Sequence, residues 1–125
     1  MSVKVDLAKL ADTMADYDFA YLLTVSDEQR PHAVAVQPVM RGEALAVGGL
    51  GNRTLANLAG RPDVTLLFPP REPGGYSLIV DGRASSDDGS TDVAPTHAVL
   101  HRPADHAARP ADGSCGNDCL PVAGT

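Results

Sequence analysis

A chain of 125 residues with 43% hydrophobic side chains fits one domain of ordinary size with a core of its own. Its formal net charge is −6, its ten Lys and Arg are scattered and it has no Trp, which excludes the basic stripe or aromatic stacking surface of a nucleic-acid binder. No apolar run nears the ~20 residues of a membrane span, the N-terminus lacks a signal-type apolar segment and the two cysteines make no disulfide framework, so a soluble, cytoplasmic protein is expected.

In chain order, residues 6–16 place Leu7, Leu10, Ala11 and Met14 on one face of an amphipathic helix that Asp6 can cap. "FAYLLTVS" predicts a strand ending at the turn "SDEQRP". "HAVAVQPVM" alternates, with Val34 and Val36 on one side and Ala33, Ala35 and Gln37 on the other. The turn "RGE" leads to a third strand, "ALAVGG". Such close spacing predicts an antiparallel meander rather than β-α-β crossovers. A short helix follows, with Asn52 as N-cap, Leu55, Leu58 and Ala59 as its apolar face, and Gly60 at the left-handed C-terminal position before Pro62. "DVTLLFPP", "YSLIVDGRASS" and "VAPTHAVLHRP" are three more strands, and Pro95 requires an edge or a bulge. Tyr76 and Leu78 are expected in the core, and Asp87–Asp88 in a solvated loop. Residues 104–125, rich in Ala, Gly, Pro and Asp, form a tail without a core of its own. The expected fold is mainly β, a six-stranded antiparallel barrel over residues 1–103.

The stretch "GGLGNRTLANLAGRP", residues 48–62, carries the first functional signal. A helix start offers free backbone N–H groups and partial positive charge. Gly49 and Gly51 permit close approach and unusual dihedrals, and Arg53 and Thr54 add donors suited to phosphate oxygens. The same residues also fit a plain glycine turn before a capped helix. Neither the P-loop nor the Rossmann glycine fingerprint is present.

Pro38-Val39, Asn57-Leu58 and "RPDVTLLF", taken in order, resemble the split-barrel flavin-binding family that includes pyridoxamine 5′-phosphate oxidase and its deazaflavin (F420)-using relatives. The resemblance runs over roughly residues 6–102. It implies a homodimer of split barrels with two cofactors, FMN or alternatively F420, at the interface. It further implies phosphate contacts from Arg53 and Thr54 with Asn57 nearby, and a ring lying against Gln37 and Pro38 with Gly49 and Leu50 close by. The family often has Ser and Lys where this chain has Asn52 and Thr54, so Arg53 supplies the positive charge. No counterpart of the C-terminal segment that completes the oxidase substrate site is visible, and that specific activity is not expected. The implied chemistry is hydride transfer to a small-molecule substrate through the cofactor, with no catalytic side chain of the protein's own. The alternative on the same fold is a non-catalytic flavin- or haem-binding or interaction protein.

His97 and His101 share one strand face and fit either a pocket lining or ordinary strand positions, while His32 beside Pro31 fits a turn. Cys115 and Cys119 lie in the tail, where a metal site with His101 or His106 competes with a tail of no fixed chemistry.

Overall fold

The structure is a computed structural model that describes residues 1–104. Cys115, Cys119 and His106 lie outside the described residues, as does nearly all of the expected tail.

Alternation of large apolar and polar residues sets the strands. They are β1 (Ser2–Lys4), β2 (Ala20–Val25), β3 (Pro31–Val36), β4 (Val39–Arg41), β5 (Ala44–Val47), β6 (Asp63–Phe68), β7 (Ser77–Asp87) and β8 (Ser90–His101). A 3-10 turn at Leu7–Lys9 precedes helix α1 (Leu10–Met14), and α2 (Asn52–Gly60) joins β5 to β6. All pairings are antiparallel, in the order β3-β2-β6-β7-β8-β5-β4, with β1 added on β8.

The ends of that order belong to one stretch of chain. β3 is an edge on β2, and β4 is the opposite edge on β5. Only Gln37 and Pro38 separate them. Proline has no N–H for a ladder bond and a fixed φ, so the strand breaks there and its second half pairs elsewhere. The barrel is thus closed by the covalent chain, and no pairing joins β3 to β4 or β5 among the described residues. All six expected strands are present; the break of the second and the addition of β1 give the eight segments.

The core takes the inward residue of each pair. Leu10, Leu22, Leu45, Leu66, Leu78, Val80, Val93 and Ala98 are fully buried, and Val64 and Phe68 nearly so. Tyr76 is only half-buried, under the Arg102 guanidinium at 4.5 Å from the ring centroid. It sits just before β7, where the sheet no longer covers it. Tyr17 donates to the Tyr76 carbonyl at 2.8 Å. Burial, with the Asp16 charge second, holds its phenol above the usual value of 10.0.

Turn chemistry follows the sequence closely. Asp88 and Gly89 both have positive φ (51° and 82°), the two-residue hairpin geometry that Asp-Gly favours. Pro95 sits opposite Gly82 where the β7–β8 register shifts, so it occupies a bulge as expected.

Four local expectations are corrected. The first helix is a 3-10 turn followed by five helical residues rather than one helix over 6–16. Leu7 is exposed and Leu10 alone is fully buried, too little apolar face to extend it. Asp6 does cap the turn, accepting from Ala8 N at 3.0 Å. In α2 the N-cap is Gly51 with no side-chain cap, and Asn52 is the first helical residue. Leu50 packs against the core and Leu55 N bonds Gly51 O, which starts the helix one residue early. Of Gly49 and Gly51 only Gly49 has positive φ (71°); Gly51 has φ −80°. Gly60 is helical, and the chain leaves through extended Arg61 (φ −138°), because a residue before proline is pushed out of the helical region.

At the bulge, β7 and β8 approach so closely that a Cβ on Gly82 would lie 2.6 Å from Val93 Cγ1 and 2.7 Å from the Ala94 carbonyl. Gly82→Ala is expected to destabilise the protein by about 1–3 kcal/mol. Urea unfolding of the purified variant measures this, and an unchanged midpoint would contradict the packing described.

Candidate functional site

Two chain segments, the β2–β3 turn with the start of β3 and helix α2, meet at one end of β3. The β2–β3 turn is held by Ser26, which accepts from Gln29 N through its carbonyl (2.8 Å) and from Arg30 N through its hydroxyl (3.2 Å). This turn, with Gln29 at positive φ (62°), delivers Arg30 and His32 to one side of a cavity of about 380 Å³. The first turns of α2 supply Arg53 and Asn57 to the other side. Ser26, Asp27, Glu28 and Pro31 complete the lining, which contains no large apolar side chain.

The lining is charged, with Arg30 and Arg53 beside Asp27 and Glu28. No ion-pair partner is found for Arg30 or Arg53 among the described residues. Asp27 has a cation of its own, Arg61 at 2.6 Å. The helix start adds backbone donors with no capping side chain and no acidic residue in the first turn. Two guanidiniums without ion-pair partners among the described residues and an imidazole thus share one polar cavity with Asp27 and Glu28, close to the start of α2.

Asn57 is the buried polar group of this site, only 8% exposed. Its Nδ2 donates to Thr24 Oγ1 at 3.0 Å, from the fully buried face of β2. Its Oδ1 has no hydrogen-bond partner among the described residues. Thr24 therefore anchors the Asn57 amide at the cavity wall.

The site residues expected from sequence divide into two groups. Arg53 and Asn57 line the cavity. Thr54 is 2% exposed and outside the lining. Gln37 and Pro38 lie at the strand break, at the far end of β3. The β4–β5 register pairs Val39 with Ala46, which brings the break beside the end of β5 that runs into Gly49 and Leu50. Arg30, His32 and Thr24 were not expected from sequence. A signal existed in "SDEQRPH", where a cation and an imidazole flank a proline, but nothing local says that α2 folds over that turn. His97 and His101 are elsewhere: His97 Nδ1 is 3.9 Å from Asp81 Oδ2 and His101 Nδ1 is 3.0 Å from Ser2 Oγ. No cluster of three or more metal-ligating side chains occurs among the described residues, and none of the described helices is long and apolar enough to cross a membrane.

No family model matches the chain. Proteins of Mycobacterium bovis and Mycobacterium tuberculosis, both described as uncharacterised, are each 47% identical over 133 aligned positions, covering 94% of this chain and 94% of their own. Among solved structures, an FAD-binding protein of Mesorhizobium loti superposes with a TM-score of 0.65 at 12% identity, covering 80% of this chain and 96% of that one. A Listeria innocua protein named for pyridoxamine 5′-phosphate oxidase gives 0.61 at 17%, covering 75% and 96%. An F420 reductase gives 0.60 at 14%, covering 70% and 94%.

Thr24→Val removes the acceptor of a buried amide and is expected to cost about 1–3 kcal/mol, with Thr24→Val/Asn57→Leu recovering most of it. Thermal unfolding of both variants checks this; equal stability of Thr24→Val and the parent protein would contradict the anchoring role.

Proposed function

We propose that this chain, which belongs to one family with the two mycobacterial proteins and has the split-barrel fold of the pyridoxamine 5′-phosphate oxidase-like proteins, binds a phosphorylated flavin or deazaflavin and uses it for hydride transfer to a small molecule. One observation carries the reading: Arg30 and Arg53, without ion-pair partners among the described residues, line with His32 one polar cavity of about 380 Å³, room for a phosphate and part of what it is attached to. A guanidinium matches phosphate oxygens with two parallel donors, and the helix start adds backbone donors.

The residues present fit the phosphate end of such a cofactor. Arg30, Arg53 and the first N–H groups of α2 would hold it, and Thr24 would keep the Asn57 amide in place for a neighbouring hydroxyl. Gln37, Pro38, Gly49 and Leu50, at the strand break, are the residues for the ring end. The bound ring would supply the hydride chemistry, while the protein positions it and excludes water. FMN is the preferred form, because an acidic chain is a poor match for the anionic glutamyl tail of F420. The same site without turnover, as a flavin or haem carrier, is the competing reading.

The reading includes a homodimer. On the outer face of the sheet, Ala35, Tyr21, Leu67, Ile79 and Val99 are successive cross-strand neighbours, an apolar row over five strands. Each is half-buried or exposed in the single chain. A sheet apolar on both faces is expected to be covered on both, and a second copy covers it in a self-complementary way.

The test is titration of the purified protein with FMN and with F420, followed by absorbance and fluorescence, with the mass taken by light scattering. Binding of one of them to a dimer is expected, and Arg53→Ala or Arg30→Ala should each weaken it by about 1.5–3 kcal/mol. Binding of neither would overturn the reading, and affinity indifferent to both arginines would move the phosphate elsewhere. Bound cofactor that no acceptor reoxidises would favour the carrier.

A further inference from the structure

We propose that the free edge of β7 at residues 85–87, with the groove between it and α2, is a docking site for an extended cationic peptide segment of a partner protein, which adds to the sheet as a short strand.

β7 outruns its neighbour on one side. The β6–β7 register ends with Asp63 opposite Arg83, and one further bond, from Ala84 N–H to the Pro62 carbonyl at 2.8 Å, closes the ladder. Pro62 has no N–H to return to the Ala84 carbonyl. Beyond that point β7 is paired on its other side alone, where Ser85, Ser86 and Asp87 face Asp92, Thr91 and Ser90 of β8. In an antiparallel strand the N–H and C=O of a residue point to one neighbour and those of the next residue to the other. Ala84 turns its N–H towards Pro62, so Ser86 turns both backbone groups to that same side, where no strand pairs with them among the described residues. The Ala84 carbonyl and the Ser86 N–H and carbonyl are a short template for main-chain bonds to an added strand.

A groove of about 440 Å³ accompanies this template. α2 lines it with Leu55, Leu58 and Ala59, of which Leu55 is one of the exposed large apolar side chains. Pro62 and Ala84 line it where the ladder ends, and Asp87 and Asp88 where the hairpin turns. The lining includes no Lys, Arg or His, and neither aspartate has an ion-pair partner among the described residues. Charge selects the occupant. A second copy paired edge to edge would set these aspartates against their own counterparts, and like charges facing each other across strands are destabilising. A strand with Lys or Arg beside an apolar residue complements the two carboxylates and Leu55 together. The groove shares no lining residue with the cavity at Arg30 and Arg53, so this site stands independently of the cofactor reading.

The test is fluorescence anisotropy of the full-length protein with a labelled heptapeptide of alternating valine and threonine, with lysine at both ends. Its controls are the same peptide with glutamate at both ends, and two versions methylated at alternate backbone nitrogens, one in each phase. The lysine peptide is expected to bind, and the glutamate peptide and one of the methylated pair to bind roughly tenfold more weakly or worse. Ser86→Pro removes the N–H that β8 does not use, at the cost of the Ser86–Thr91 hydroxyl contact (2.8 Å). It should keep the circular dichroism spectrum and lose peptide affinity by roughly tenfold. Asp87→Asn/Asp88→Asn keeps a favourable Asn-Gly turn and should weaken binding by roughly threefold while flattening its salt dependence. Full affinity for both methylated peptides, or in folded Ser86→Pro, overturns strand addition. Equal affinity for the glutamate peptide, or in the double aspartate variant, overturns the cationic partner. A mass by light scattering that falls in Ser86→Pro assigns the edge to a second copy, and tighter binding of a peptide of residues 105–125 assigns it to this chain's own C-terminal segment. Either result overturns the proposal, as does a protein that binds none of the peptides.

Discussion

Pro38 interrupts one strand, and the architecture depends on that interruption. Without an N–H to donate and with φ fixed, it cannot continue the ladder begun by β3. The chain bends at Gln37–Pro38 and enters the opposite edge of the sheet as β4. Closure by covalent connection leaves β3 with an open edge, a feature a hydrogen-bonded barrel would lack. The same bend brings the end of β5 and the glycine-rich entry to α2 beside β3. An open strand with a charged cavity at its other end is the result.

Charge placement then selects what the open strand can hold. The described surface is rich in carboxylates, and Asp18, Asp27 and Asp63 each engage an arginine. These exposed pairs add little stability on their own. Their consequence for the site is that Arg71, Arg61 and Arg83 are occupied, while Arg30 and Arg53 have no ion-pair partner among the described residues. Arg53 stands on the helix start, where the backbone already carries partial positive charge, and Arg30 reaches the same cavity from the turn opposite.

Much of the fold was legible in the sequence because strands here alternate cleanly and turns carry Gly, Pro and Asp at the positions that require them. Val34 and Val36 against Ala33 and Ala35, the Asp88–Gly89 hairpin and the bulge at Pro95 all follow from local chemistry. The helix ends were less legible. Gly60 would suit a left-handed cap, yet Pro62 acts one residue further back and forces Arg61 extended. Asn52 would suit an N-cap, yet Leu50 entering the core moved the start to Gly51. The candidate site was half legible: Arg53 and Asn57 sit in a recognisable stretch. Arg30, His32 and Thr24 do not, since their contribution depends on α2 crossing the end of β2, a long-range contact that no local pattern encodes.

A crystal structure of the protein grown with FMN, or with F420 where titration selects it, tests the central claim most directly. The account places the phosphate within hydrogen-bonding distance of Arg30 and Arg53, near the first N–H groups of α2. A phosphate bound at any other surface, with this cavity holding only water, would contradict it.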